Sequence, residues 1–322
     1  MRGFLNIVAK YAVLQAVSIA PFIAGYFFRC RIKSYAEFRR KIILFNLVIL
    51  EPVIVFYSIW GIDVDKTALW IFSAAFFIAL CGYVFGKIFV KILRLKGDDS
   101  FSFVLTSVMS NTGFTMGGFI CFLTAGEKAL AYSYFCSLGL ACLIYFLIFP
   151  LCYVRERGEK ITLSVFLRGI FRINNFPIIG FLLALLFRQL FRRPQFDFPF
   201  LDIMVCVLVA GYFLSLGMVF QFKKSRSEKR IHISEFLIKF ILVPIVIIGA
   251  VIILGIDGYA GYVIAIESFM PCAVFSVVTL VLYNISPELS GRIFAFNTAA
   301  FFVFILPLIL LFSKKAAFLF GL

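Results

Sequence analysis

Runs of about 20 mainly apolar residues follow one another along the chain, separated by short loops rich in Lys and Arg. A run of that length spans the hydrocarbon core of a bilayer as a helix. The composition agrees, because 63% of the residues are hydrophobic and only 15% are charged, whereas soluble domains are about 45–50% apolar and about 25% charged. The sequence therefore predicts an all-α integral membrane protein with a single membrane domain, residues 1–322.

Counting these runs predicts ten transmembrane helices, numbered here as spans 1 to 10. They cover residues 4–28, 42–60, 67–90, 101–124, 129–153, 175–191, 200–222, 235–255, 258–284 and 288–312. Most of the 31 lysines and arginines fall in loops after odd-numbered spans. Because cytoplasmic loops carry this excess, we expect a multi-pass protein of the cell inner or plasma membrane with both termini on the non-cytoplasmic side. Segment 161–173 has a helical apolar stripe and is expected to lie in the cytoplasmic interface.

The same distribution argues against several other functions. The net charge of +15 is explained by topology, so nucleic acid is not an expected partner. The eight cysteines form no Cys-x-x-Cys pair, and His232 is the single histidine. We therefore expect no metal centre and no cofactor. The loops are short and basic and lack clustered catalytic groups, which argues against a polytopic membrane enzyme.

Polar, helix-breaking segments interrupt two of the spans. Span 4 contains Ser110-Asn111-Thr112-Gly113-Phe114-Thr115-Met116-Gly117-Gly118, and span 9 contains Glu267-Ser268-Phe269-Met270-Pro271-Cys272. Such segments leave backbone groups unpaired, and lipid offers those groups no partner. Interruptions in corresponding spans of two halves indicate the substrate site of a secondary transporter. The alternative is that these glycines and Pro271 are only kinks or close-packing points.

The two halves of the chain are predicted to be inverted repeats, residues 1–155 and 161–320. Five spans per half is an odd number, so equal halves face opposite ways across the membrane. Span 5 ends in Phe149-Pro150-Leu151, and span 10 ends in the similar Leu306-Pro307-Leu308. The interruptions of spans 4 and 9 can then meet near mid-membrane. Helix N-termini that start there carry partial positive charge and suit a carboxylate.

These segments resemble the auxin efflux carrier family of membrane transport proteins. The resemblance rests on Asn111-Thr112-Gly113-Phe114, Gly126-Glu127, Asn174-Asn175-Phe176-Pro177-Ile178-Ile179, Leu216-Gly217-Met218, Met270-Pro271-Cys272-Ala273 and Pro307. One departure is Gly117-Gly118, where family members usually carry a proline. The resemblance implies ten spans with broken, crossing helices 4 and 9, a scaffold of spans 1, 2, 6 and 7, and a mobile domain of spans 3–5 and 8–10. This fold is similar to that of bile-acid/sodium symporters and sodium/proton antiporters. The resemblance also implies a scaffold-mediated homodimer and alternating-access transport of small organic anions.

Two acidic residues are candidates for coupling transport to an ion. Glu267 is the tenth residue of its span, close to the bilayer centre, where an ionised group costs about 2.5–3.5 kcal/mol on insertion scales. We expect it to exchange a proton or to help bind sodium; the alternative is a neutral acid that caps interrupted backbone. Glu51 is followed by Pro52 and is either a second proton site or a structural hydrogen-bond partner.

Uncharged residues of the two interruptions are the candidates for substrate binding. They are Asn111, Thr112, Gly113, Gly117, Gly118, Ser268, Met270 and Pro271. Asn111 and Thr112 offer donors and acceptors for a carboxylate, although such residues also join helices to each other. Ser276 is a weaker candidate, and Asn297 and Thr298 are expected to pack behind the crossing. No Lys or Arg can be placed at mid-membrane from the sequence.

The sequence thus favours a secondary active transporter of a small organic anion such as a carboxylate, coupled to protons. Sodium coupling is the alternative, and so is a membrane sensor that binds a ligand in a transporter-like fold without moving it.

Overall fold

The computed structural model describes residues 2–31, 34–60, 65–112, 116–160, 162–170, 176–191, 199–220 and 226–322. Within these ranges the chain is helical and has no strand. In the same ranges, helices Lys66–Leu93, Lys128–Arg157, Glu228–Ile253 and Glu288–Ser313 are long and apolar enough to cross a membrane. Three shorter apolar helices cover Gly117–Gly126, Pro177–Leu190 and Ile203–Val219. A multi-pass, all-helical membrane protein is therefore confirmed, while the number of ten spans stays a prediction.

Four helical stretches pass through a π-helical turn just before a proline. The π segments are Asn46–Leu50, Ile144–Ile148, Ile238–Leu242 and Phe301–Ile305, and each ends two residues before Pro52, Pro150, Pro244 or Pro307. Proline cannot donate to the carbonyl four residues earlier and also collides with it. A wider turn relieves both problems. For this reason the helices continue past Pro150 and Pro307 to Arg157 and Leu319, beyond the predicted span ends at residues 153 and 312.

The first of two compact units comprises Met1–Asp63, Ile144–Phe220 and Val278–Ile285. Its helices are α1 (Arg2–Arg31), α2 (Tyr35–Phe45), α3 (Glu51–Trp60), α7 (Phe149–Arg157), α8 (Leu163–Ile170), α9 (Pro177–Leu190) and α10 (Pro199–Val219). Helix α1 packs along α10, and α3 packs along α9. The α1–α10 approach is close, because a Cβ on Gly217 would lie 2.0 Å from the Phe22 carbonyl oxygen. Helix α8 confirms the helix predicted within segment 161–173; its place in the interface stays a prediction.

The second unit comprises Val64–Leu143, Gln221–Val277 and Ser286–Leu322. It holds α4 (Lys66–Leu93), α5 (Gly97–Val108), α6 (Gly117–Leu143), α11 (Arg226–Leu237), α12 (Val243–Ile253), α13 (Gly258–Ser268), α15 (Glu288–Ala300) and α16 (Leu306–Leu319), together with the start of α14 (Val274–Leu282). Helix α4 packs against α5 and α6, and α13 packs against α6. Gly126, at φ 82°, interrupts α6 between predicted spans 4 and 5.

The surfaces of both units carry large apolar side chains, as a lipid-exposed protein requires. Leu80 and Ile92 on α4 are 54% and 64% exposed. On α12, Ile245 and Ile253 are 65% and 84% exposed. These outward faces are where the composition places its apolar excess.

Candidate functional site

Both helix interruptions that the sequence predicts are present in the second unit. Helix α5 ends at Val108, and Met109 takes an extended conformation, with φ −89° and ψ 121°. The helix resumes as α6 at Gly117. In the other segment α13 ends at Ser268, and α14 resumes at Val274. In each predicted span, two half-helices therefore flank non-helical backbone, which includes residues 109–112 in one span and 269–273 in the other.

The two interruptions pair with each other. The Asn111 N–H donates to the Pro271 carbonyl at 2.7 Å, and the Ala273 N–H donates to the Met109 carbonyl at 3.0 Å. These bonds flank an antiparallel bridge between Ser110 and Cys272. Backbone groups that lipid would leave unsatisfied thus satisfy one another. We call residues 109–112 and 269–273 the crossing.

The Glu267 carboxylate lies against the start of half-helix α6. A Cβ built on Gly117 would lie 2.1 Å from Glu267 Oε2 and 2.5 Å from Oε1. Only a glycine leaves room for the carboxylate there, and this is the position where the sequence departs from the family's usual proline. The Glu267 side chain is fully buried. The carboxylate lies at the positive end of a helix dipole, an arrangement that stabilises its ionised form.

A buried lysine on the helix that contains α11 and α12 also contacts the crossing. Lys239 lies near the middle of Glu228–Ile253, and its side chain is 1% exposed. Its ammonium donates to the Met109 carbonyl at 3.1 Å and to Ser110 Oγ at 2.9 Å. This cation lies at the negative, C-terminal end of α5 and complements the acid at the start of α6. The sequence alone placed no Lys or Arg at this position, so Lys239 is a residue that the sequence analysis missed.

A second buried acid accompanies the lysine. Glu235 is fully buried one turn before Lys239, and its Oε2 accepts a hydrogen bond from Ser107 Oγ at 2.7 Å. Ser107 belongs to the last turn of α5. Within the described residues of the second unit, Glu235, Lys239 and Glu267 are the charged residues whose side chains are buried. All three lie beside the interrupted helices.

Comparison with known proteins agrees with this geometry. Residues 159–310 match the family described as "Membrane transport protein". Over these residues the chain is similar to this transporter family. The match confirms the resemblance to the auxin efflux carriers that the sequence motifs indicate. The chain is also 25% identical to an uncharacterized transporter of Methanocaldococcus jannaschii over 246 residues, which cover 74% of this chain and 76% of that protein.

The remaining residues that the sequence predicts for substrate binding lie in or next to the crossing, except for one that lies outside the described residues. Asn111 and Met270 are buried in the crossing, and the Thr112 N–H donates to the Ser110 carbonyl at 2.9 Å. Pro271 contributes the carbonyl that accepts from Asn111. Gly118 follows Gly117 in the first turn of α6. Gly113 lies outside the described residues.

Two serines named by the sequence analysis bond within their own segment. Ser268 Oγ donates to the Ala265 carbonyl at 2.6 Å, and Ser276 Oγ donates to the Ala273 carbonyl at 2.7 Å. Both are buried. Because each hydroxyl proton is already donated to a backbone carbonyl, these serines are poorer donors for a substrate than their position in the sequence indicates.

Asn297, by contrast, binds the crossing directly. Its Oδ1 accepts a hydrogen bond from the Cys272 N–H at 3.2 Å. The side chain is fully buried, and its Nδ2 has no hydrogen-bond partner within the described part of the chain. The same holds for the hydroxyl of Thr298. Asn297 therefore offers the crossing a donor as well as an acceptor.

Glu51 lies in the first unit, so the structure does not group it with Glu267. Its Oε2 accepts a hydrogen bond from the Tyr212 hydroxyl at 2.7 Å, which joins α3 to α10. The neighbouring Asn46 likewise joins α2–α3 to α10 through a bond from its Nδ2 to the Leu208 carbonyl at 2.9 Å. The Tyr212 hydroxyl is the kind of partner expected if Glu51 forms a structural hydrogen bond between helices.

Proposed function

We propose that this protein is a secondary active transporter that moves a small organic anion, of the carboxylate class, across the inner or plasma membrane by alternating access. The observation that carries the proposal is the crossing. Two interrupted helices meet through backbone hydrogen bonds and gather buried polar groups, as in substrate sites of transporters with discontinuous helices. In this proposal the second unit carries the site, and the first unit serves as scaffold and forms a homodimer.

A carboxylate substrate fits the groups that the crossing offers. The Lys239 ammonium provides positive charge, and the Asn297 amide has a free donor within the described residues. Asn111 adds a further amide at the same place. Charge-assisted hydrogen bonds to a carboxylate are about twice as strong as neutral ones. An uncharged substrate would gain less from Lys239.

The buried charges of the second unit favour a proton as the coupling ion. With Glu235, Glu267 and Lys239 all ionised, the described interior would carry one net negative charge, and a bound anion would add to it. Net charge in a membrane interior costs several kcal/mol. A proton on Glu267 removes this excess. Among the residues that the structure describes, the thiols of Cys121 and Cys136 on α6 lie close enough to Glu267 to interact with its charge.

The experiment is uptake of labelled carboxylates by purified protein in liposomes. Uptake of monocarboxylates, dicarboxylates and aromatic acids is measured under two conditions. In one, the pH is equal on both sides of the membrane; in the other, a pH gradient is applied. We expect at least one acid to accumulate more under a pH gradient than without one, and protein-free liposomes give the baseline. Saturable binding without gradient-dependent flux for every acid would contradict a transporter and would support a sensor.

A further inference from the structure

The oxygen atoms around the ammonium of Lys239 are of the type that bind a small metal cation. Its two acceptors are the Met109 carbonyl and Ser110 Oγ, at 3.1 and 2.9 Å. The Met109 carbonyl uses one lone pair for the Ala273 N–H and offers the other to the ammonium. In transporters with broken helices, carbonyls of unwound backbone and C-terminal ends of half-helices bind the coupling Na⁺ or H⁺. Met109 is both, because it immediately follows the last residue of α5.

The wider surroundings of this position are also rich in oxygen. The buried Glu235 carboxylate faces Lys239 from the preceding turn and is held by Ser107. Its Oε1 has no hydrogen-bond partner within the described part of the chain. Carbonyl, hydroxyl and carboxylate oxygens are the ligands that hard cations prefer. The remaining titratable group that faces Lys239 is the Cys272 thiol.

We propose that the Lys239 ammonium is a built-in cation that fills the position of a coupling sodium ion in the crossing. The position is already neutralised in the folded chain, so sodium has neither room nor an uncompensated charge there. For transport, the consequence is that the carrier works without sodium, and this part of the inference rests on the proposed function. The presence of the cation position itself does not depend on transport.

The test removes the ammonium and keeps the oxygens. Lys239→Ala and the wild-type protein are purified in full length, and their thermal unfolding is followed at pH 8 in 100 mM NaCl and in 100 mM choline chloride. We expect the wild-type Tm to be the same in both salts. The Tm of Lys239→Ala is expected to be lower than wild type in choline and to rise by about 4 °C in NaCl, as mass action gives for a millimolar site.

Two matched variants show whether sodium enters the vacated position. Lys239→Met fills the space with an apolar chain of similar length, so its Tm should not respond to sodium. Adding Ser110→Ala to Lys239→Ala removes one of the oxygen ligands. The sodium concentration that gives half of the Tm increase should then rise at least fivefold. An unchanged response in either variant would place the sodium effect elsewhere and would overturn the proposal.

Other outcomes also decide the question. Equal Tm values of Lys239→Ala in the two salts would overturn the proposal, as would a variant that can be purified in neither salt. Recovery of its Tm by acid instead of sodium would show that Glu235 takes a proton and that no cation position exists. If no acid is transported in liposomes, the proposed function fails while the sodium response still stands. If wild-type uptake requires sodium, the built-in cation fails while the transporter stands.

Discussion

Replacing Gly117 with alanine tests the contact between the Glu267 carboxylate and the start of α6. The new Cβ would lie 2.1 Å from Oε2, whereas ordinary contact begins at 3.4 Å, so the carboxylate must retreat by about 1.3 Å. Glu267 is fully buried and cannot retreat into solvent. Overpacking of this kind costs about 3 kcal/mol at its upper range. A helical Gly→Ala change recovers up to about 1 kcal/mol, so the steric cost wins by about 2 kcal/mol.

The assay is thermal unfolding of purified protein in detergent at a fixed scan rate. A net loss of about 2 kcal/mol corresponds to a Tm decrease of about 4 °C in a chain of this size. Gly249→Ala is the matched control, because a Cβ on this glycine of α12 meets nothing within 4 Å. That variant keeps only the helical gain of up to about 1 kcal/mol, so its Tm should rise by up to about 2 °C.

Changes at Glu267 separate a steric from an electrostatic origin. In a Glu267→Ala background, Gly117→Ala should no longer lower the Tm, since the colliding group is gone. In a Glu267→Gln background the decrease should persist, because glutamine has the same shape. A Gly117→Ala effect of the same size in all three backgrounds would refute the contact.

Three further predictions concern other groups. Glu267→Gln should abolish the dependence of substrate uptake on the pH gradient, measured in liposomes; an unchanged pH profile would remove Glu267 as the coupling residue. Tyr212→Phe should lower stability by about 1.5–3 kcal/mol, since it removes a hydrogen bond to the Glu51 carboxylate; a Tm within 1 °C of wild type would contradict this. Hydrogen bonds from Tyr132 and from the first turn of α4 hold the pKa of Asp65 below its ordinary value. Asp65→Ala should therefore cost about 1 kcal/mol above pH 5, as loss of a helix cap does. Because the folded pKa is lowered, this difference between wild type and variant should shrink only as the pH falls below about 4, which a Tm series from pH 3 to 7 measures.

The interruptions were predictable because their cause is local. Glycines, Pro271 and polar side chains inside apolar runs cannot continue a lipid-exposed helix, and the structure ends α5 at Val108 and α13 at Ser268. The depth of Glu267 in the membrane stays a prediction, which follows from counting residues along one helix. The antiparallel pairing of the two interruptions follows from the opposite directions of spans 4 and 9.

Lys239 escaped prediction because of where its span begins. The apolar run starts near residue 235, which places a lysine at 239 within reach of the interface, where such side chains extend to water. The structure begins this helix at Arg226, through polar residues, so Lys239 lies near the middle of the helical stretch that ends at Ile253. The lysine stands between Ile238 and Phe240 inside an otherwise apolar stretch, and this is the signal in the sequence that points to a buried position.

The role of Gly117 was unpredictable for a different reason. Its sequence context indicates only flexibility, whereas the need for glycine comes from a carboxylate 150 positions later in the chain. Contacts of this kind depend on tertiary packing, which a single sequence does not encode in any local pattern. The bond between Asn297 and the crossing is a further example.

Cross-linking of the two interruptions tests the crossing most directly. Ser110 and Cys272 face each other as a pair flanked by hydrogen bonds, a geometry that places Cα atoms about 4.5 Å apart, within disulfide range. In a background that retains Cys272 as the only native cysteine, Ser110→Cys should form a disulfide with it when copper phenanthroline is added in membranes, detected by peptide mass spectrometry. Thr106→Cys, one turn earlier on α5, should form none. Cross-linking of Thr106→Cys, or none at Ser110→Cys, would contradict the crossing and the transporter mechanism built on it.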